Sequence, residues 1–314
     1  MKKIKIMATS DKVLNEAFED FIRHKKINNL SSESIRYYND CYKTFCQFHD
    51  PTLLCNTVTQ NTVERYTEFL QNKNIADVTV NSYLRGLRAI LYYIMERGYL
   101  TEYPIKLIRF NKKIKETYTN EELDILLKKP SLKTCSFAEL RNWVMINYLL
   151  GTGNRLSTMT NVKCGDIDFD NNVIRLTKVK NRKEQIIPLS STLREILKEY
   201  MFYRKGDNQD FLFSTIYGES MTKSGVTTAI KAYNLSRGVS KHSIHLFRHT
   251  FAKLWILNGG DIFRLQKILG HSSIDIVKEY VNMFSSDLQI DFDQFNPLES
   301  IAIKNKKKPT IKIR

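Results

Sequence analysis

The chain has 314 residues, with 49 Lys+Arg against 33 Asp+Glu and a formal net charge of +16. That length favours two domains over one core, and the positive excess favours a polyanionic partner. No apolar run approaches the ~20 residues that span a bilayer, and the N-terminus has no signal-peptide core, so a membrane is not the expected partner.

The first hundred residues read as helices joined by short turns. Ser10 or Asp11 caps a first helix with Leu14, Phe18, Phe21 and Ile22 on one face. Ser31 or Ser32 starts a second, with Ile35, Tyr38, Tyr42, Phe45 and Phe48 at helical spacing. A shorter third carries Val63, Tyr66, Phe69 and Leu70. The fourth begins after Asp77, carries Val80, Leu84, Leu87, Leu91 and Ile94, and ends at Gly98. These stripes are core. The opposite face of the fourth helix holds Asn81, Arg85 and Arg88, and reads equally as a solvated surface or as one that enters a DNA groove.

Beyond Gly98 the periodicity lapses into a basic connector, 101–117, containing Pro104, Lys106, Arg109, Lys112, Lys113 and Lys115. Its charge suits a phosphate backbone. Thr119-Asn120-Glu121-Glu122 then reads as a helix start with acids in its first turn. A longer helix follows through Leu140, Trp143, Val144, Ile146, Asn147 and Leu150 to Gly151. Strands are expected only between Asp166 and Leu189: Ile167 and Phe169 alternate, Asp170-Asn171-Asn172 turns the chain, and Val173, Arg175 and Leu176 return. A charged turn from Lys178 to Glu184 leads into Gln185-Ile186-Ile187-Pro188-Leu189. Helices fill most of the rest to Val281. The fold class is therefore mainly α with a small antiparallel β-sheet.

Several polar residues of this second half invite a chemical reading. Arg155 follows Gly151-Thr152-Gly153-Asn154 and opens a short helix, a natural phosphate site. Lys180 sits in the charged hairpin turn beside Lys178, Arg182 and Lys183. His245 and Arg248 lie three apart on one helical face, where both reach one ligand. His271 follows Gly270 in a loop, ahead of a helix that ends with Tyr280. Singly, each has an ordinary structural reading: a surface Arg, solvated hairpin charge, a core His, a packed Tyr. Together they suit attack by a tyrosine hydroxyl on a phosphodiester whose charge is held by Arg and His donors. In a chain of this charge the phosphodiester is DNA. Cys41, Cys46, Cys55, Cys135 and Cys164 are odd in number and form no CxxC pair, which speaks against a disulfide framework or a zinc site and fits a reducing cytosol.

The order of these residues resembles the tyrosine recombinase (phage integrase) family over nearly the whole chain. The resemblance is carried by Gly151-Thr152-Gly153-Asn154-Arg155-Leu156-Ser157, by Lys180 followed by Ile187-Pro188-Leu189, by His245-Leu246-Phe247-Arg248-His249-Thr250-Phe251-Ala252, by Leu269-Gly270-His271-Ser272-Ser273, and by Tyr280. It implies a four-helix SAM-like core-binding domain at 1–100, the connector crossing a C-shaped DNA clamp, a catalytic α+β domain at 118–285, and a tail at 286–314. Tyr280 is then the nucleophile that forms a 3′-phosphotyrosyl enzyme. Arg155 and Arg248 grip the non-bridging oxygens. Lys180 protonates the leaving 5′-oxygen, His245 assists proton transfer at the nucleophile, and His271 donates to the phosphate. The covalent ester conserves the bond energy, so neither a nucleotide cofactor nor a metal is expected. Arg85, Arg88, Lys112 and Lys113 are the residues expected on DNA.

The implied partners are double-stranded DNA recombination sites, further copies of the chain forming a tetramer on two sites through a Holliday junction, and accessory proteins, in a bacterial cytoplasm at the nucleoid. The chain begins almost directly with its first helix, so an additional arm-site domain is not expected. One departure stands out: Thr158 occupies a position that is usually acidic, for which Asp166 or another acid is a spatial substitute. His249 also matches the motif but, beside Arg248, reads as structural. The apolar segment from Ser286 to Ile301 either folds back on its own domain or is donated to a neighbouring protomer. A type IB topoisomerase and a catalytically impaired DNA-binding protein of this fold are the alternatives. Integration or excision of a mobile element and Xer-like resolution fit equally well.

Overall fold

The structure is a computed structural model that describes residues 11–109, 116–176 and 185–270. It divides into two compact units, Met1–Lys113 and Ile114–Arg314.

The first unit is built from α1 (Leu14–Ile27), α2 (Ser32–Cys46), α3 (Gln60–Gln71) and α4 (Asp77–Glu96). Ser31 Oγ accepts from the Ser34 amide to cap α2, and Thr59 and Thr62 form a reciprocal capping box at α3. The start of α1 differs from expectation. Its N-cap is Val13, without a side-chain cap. The amides of Leu14 and Asn15 are satisfied instead by the carbonyls of Leu53 and Pro51, at 2.9 and 3.0 Å. The apolar stripes converge on one core in which Phe21, Phe45, Tyr66, Leu70, Leu84 and Leu87 are fully enclosed. Each such side chain contributes roughly 1.5–3 kcal/mol through burial.

Part of the stretch read as a connector belongs to this core. Ile105 is buried in it, and Tyr103 donates its hydroxyl to Val58 O at 2.7 Å. Asn81 is only 2% exposed, not on a groove-facing surface. Its amide donates to Ile108 O at 2.9 Å and accepts from Ile108 N at 3.0 Å. Helical periodicity placed Asn81 with Arg85 and Arg88, but the chain after α4 folds back over it.

The second unit is built from α5 (Asn120–Leu127), α6 (Phe137–Thr152), the short α7 (Leu156–Met159), β1 (Ile167–Asp168), β2 (Val173–Leu176), β3 (Gln185–Pro188), α8 (Ser191–Arg204), α9 (Lys223–Ser236), α10 (Ile244–Leu257) and α11 (Ile262–Leu269). The Thr119–Glu122 capping box starts α5 as its sequence predicts. The sheet is antiparallel in the order β1-β2-β3, with Ile174 opposite both Ile167 and Ile187 and Leu176 opposite Gln185. Helix α6 is apolar nearly all round, as a central core helix must be. Its Trp143, Val144, Met145, Ile146, Tyr148 and Leu149 lie in a core shared with the sheet, α8, α9 and Phe247 of α10. At the unit's entry the Tyr118 amide donates to Thr250 Oγ1 of α10 at 2.9 Å, and the Tyr118 ring stacks on Phe247. The first residues of the unit are thereby tied to the helix that carries Arg248.

Candidate active site

The α6–α7 turn exists because Gly153 takes the left-handed conformation, φ +61°, that ends α6. It also has no room for a side chain. A Cβ there would lie 2.5 Å from Phe251 Cδ1 and 2.8 Å from Leu269 Cδ2. This close approach brings the turn against α10 and α11. Asn154 is buried and donates to the Tyr148 hydroxyl at 2.7 Å, fixing the turn from beneath. Burial is the main cause that holds the Tyr148 phenol far above its ordinary pKa, partly offset by that hydrogen bond. Tyr148 is thus a neutral structural acceptor here.

Arg155 follows at the N-cap of α7 and is half-buried. Arg248 projects from the middle of α10 and is 5% exposed. Arg248 Nη1 donates to Gly153 O at 2.7 Å and Nη2 to Leu269 O at 2.8 Å. Arg155 Nη1 reaches the same Leu269 carbonyl at 3.3 Å. Two guanidiniums that are 93 positions apart in sequence therefore meet at the end of α11. The C-terminus of a helix carries partial negative charge, which eases the repulsion between two cations held there. Gly270, φ +62°, caps this helix.

His245 lies one turn before Arg248 on α10 and is exposed, whereas Arg248 is enclosed. Arg85 is exposed and Arg88 half-buried on α4 of the first unit. Lys180, His271, Tyr280, Lys112 and Lys113, and the tail from Ser286, lie outside the described residues. The structure brings Arg155 and Arg248 together. The Asp166 carboxylate accepts from the Lys163 amide at 2.8 Å. Thr158 is buried in α7. Among the described residues, no group of three or more His, Cys, Asp or Glu side chains is placed to hold a metal ion, and no helix is long and apolar enough to cross a membrane.

One contributor to this region escaped the sequence reading. Gln185, the first residue of β3, donates through Nε2 to Lys267 O at 2.9 Å and to Ile268 O. A polar residue at a strand start carries no signal of a partner 82 positions away.

Residues 116–286 match the description of the Phage integrase family, and residues 13–114 that of the Phage integrase SAM-like domain. Tyrosine recombinase XerD of Listeria monocytogenes is 26% identical over 298 residues, covering 90% of this chain and 99% of that protein. Tyrosine recombinase XerC of Staphylococcus aureus is 27% identical over 285 residues, covering 88% and 95% respectively. The fold is similar to that of the Tn1549 transposon integrase in complex with a circular intermediate DNA, with a TM-score of 0.71 at 19% identity over 88% of this chain and 99% of that one. It is also similar to XerH recombinase bound to a palindromic difH substrate, with a TM-score of 0.65 at 21% identity over 88% of this chain and 83% of that one. A matched domain that spans more than half of the chain, preceded by the SAM-like domain of the same family, makes this chain a member of the phage integrase family.

Proposed function

We propose that this protein is a tyrosine-type site-specific DNA recombinase, which cleaves and rejoins DNA through a 3′-phosphotyrosyl intermediate. The observation that carries the reading is the convergence of Arg155 and Arg248 on the Leu269 carbonyl, one residue before Gly270-His271. Two planar cations held by a helix end are suited to the non-bridging oxygens of one phosphate. The named relatives XerC and XerD, and the likeness to integrase–DNA complexes, support the same reading.

In the proposed reaction Tyr280 Oη forms a bond to the scissile phosphorus as the bond from phosphorus to the 5′-oxygen breaks. The phenolic proton passes towards His245, and Lys180 gives a proton to the departing 5′-oxygen. Arg155, Arg248 and His271 hold the charge that gathers on the non-bridging oxygens. The 5′-hydroxyl of a second duplex then attacks the phosphotyrosyl ester and releases Tyr280. One ester is exchanged for another in each step, so the chemistry consumes no nucleotide. Four protomers on two sites carry out the exchange through a Holliday junction, with the segment from Ser286 donated to a neighbouring protomer in a closed ring. The exposed Arg85 and the basic residues Arg88, Lys112 and Lys113 contact the DNA backbone. The setting is the bacterial nucleoid.

A nicked suicide substrate tests the reading. The native protein is expected to yield an SDS-resistant protein–DNA adduct in excess EDTA, and Tyr280→Phe to bind the DNA and yield none. An adduct from the Phe variant would move the nucleophile elsewhere. A two-site recombination assay run beside supercoil relaxation distinguishes recombinase from topoisomerase.

A further inference from the structure

Helix α11 ends beside the two arginines, and each of its last three carbonyls accepts from a side chain outside the helix. The Gly270 amide donates to the carbonyls of Gln266 and Lys267. Gln185 Nε2 donates to Lys267 O and Ile268 O. Leu269 O is left for Arg248 and Arg155. A helix of eight residues is too short to hold its last turn by its own ladder, so these outside donors fix where the Leu269 carbonyl points.

Gln185 is itself well anchored. It pairs with Leu176 in the β2–β3 ladder, and the next inward residue, Ile187, is 1% exposed in the main core. Its side chain also lies against Gly270, where an added Cβ would be 3.0 Å from Gln185 Oε1. The residue type matters. A glutamine supplies two N–H donors without charge. A lysine or arginine would set a third cation beside the guanidinium pair, and a glutamate would turn acceptors towards acceptors.

We infer that Gln185 is a positioning residue for the arginine pair: by clamping the last turn of α11 to β3, it fixes the Leu269 carbonyl on which Arg155 and Arg248 are oriented. The inference rests on the recombinase reading for its catalytic consequence, but not for its structural content. Nothing in it requires Gln185 to touch DNA.

The experiment uses the full chain carrying Gln185→Met, which keeps length and flexibility but removes the donors. Affinity for a single DNA site should stay within about twofold of native, while single-turnover adduct formation falls about tenfold, the effect of losing a hydrogen-bonded contact. Two substrate probes assign the loss. A methylphosphonate at the scissile position lacks the non-bridging charge that the arginines hold, so there the defect should shrink to about twofold. A 5′-bridging sulfur relieves only the leaving group, so there the defect should persist. Native-like cleavage by Gln185→Met, or rescue by the bridging sulfur, overturns the inference. A second arm needs no catalysis. In protein labelled with ¹⁵N-arginine, the guanidinium protons of Arg248 should exchange roughly tenfold faster in Gln185→Met than in the native chain. Unchanged exchange likewise overturns the inference. If the native chain forms no adduct, the recombinase reading fails, and this second arm still decides the role of Gln185.

Discussion

Asn81 of the first unit and Arg248 of the second are both buried polar side chains where distant parts of the chain meet, and the two are used differently. Asn81 of the first unit is neutral, and its amide donates to and accepts from the backbone of a single residue, Ile108. Donor meets acceptor at both ends, and the pair is complete. Arg248 of the second unit is a permanent cation that donates to two neutral carbonyls, those of Gly153 and Leu269. Carbonyls orient a guanidinium without neutralising it. One residue therefore closes a fold, and the other holds a charge in a fixed direction. Removing the first should cost stability, and removing the second should cost chemistry.

The largest effect is expected at Arg248. Arg248→Ala should lower the rate of adduct formation by about 10³-fold or more, with single-site DNA affinity changed only a few-fold. Arg248→Lys should restore little of that rate, because one ammonium on a flexible stem does not span the carbonyls of Gly153 and Leu269. Single-turnover adduct formation on a suicide substrate measures both variants. Full activity in Arg248→Lys would reduce the site to a point charge and break the comparison.

Lys180→Ala sharpens the comparison from the leaving-group side. It should slow cleavage of an ordinary phosphodiester by about 10²–10⁴-fold and be largely rescued by a 5′-bridging sulfur, which leaves without a proton. Arg155→Ala and Arg248→Ala should not be rescued. Equal defects of Lys180→Ala on both substrates would move the general acid to a neighbour, with Lys178 and Lys183 the nearest in sequence.

The counterpart at the other buried residue is Asn81→Leu. It leaves the amide and carbonyl of Ile108 without their side-chain partner, at a cost of roughly 2–3 kcal/mol in the stability of the first unit. Chemical denaturation of the full chain measures this as a lowered midpoint for the corresponding transition. At a temperature where the variant stays folded, its cleavage rate on saturating DNA should match the native rate. A loss of cleavage without a loss of stability would show that Asn81 serves the site.

Sequence and structure agree where information is local, and part where it is not. Ser31 and the Thr119–Glu122 box cap their helices as written, because a cap depends on neighbours three positions away. The start of α1 was misread because its amides are satisfied by Leu53 and Pro51, across the unit. Asn81 was misread for a related reason: helical periodicity identifies a polar face but not the segment that later covers it. Arg155 and Arg248 stand out in the sequence by their motifs, but their shared acceptor does not. It requires the tertiary approach of α11, which Gly153 permits by lacking a side chain. Gln185 has no motif at all.

The smallest expected effect concerns the remaining polar residues of α4. Once Asn81 is removed from that face, Arg85 is the exposed cation and Arg88 is half-buried beside the core. If Arg85 neutralises one DNA phosphate, Arg85→Ala releases one fewer contact's worth of counterions. The slope of log affinity against log salt should then fall by about 0.9, and affinity at about 0.1 M salt should weaken a few-fold, alike for specific and unrelated sequences. Arg88→Ala should show a smaller change in slope, because part of its side chain is held against the helix surface rather than free to follow a phosphate. Adduct formation at saturating DNA should remain native for both, since neither residue lies in the unit that holds the arginine pair. Fluorescence anisotropy across a salt series separates these outcomes. An unchanged slope for Arg85→Ala would make the outer face of α4 a solvated surface. A loss confined to one target sequence would instead make Arg85 a reader of base edges, since a phosphate contact carries no sequence information.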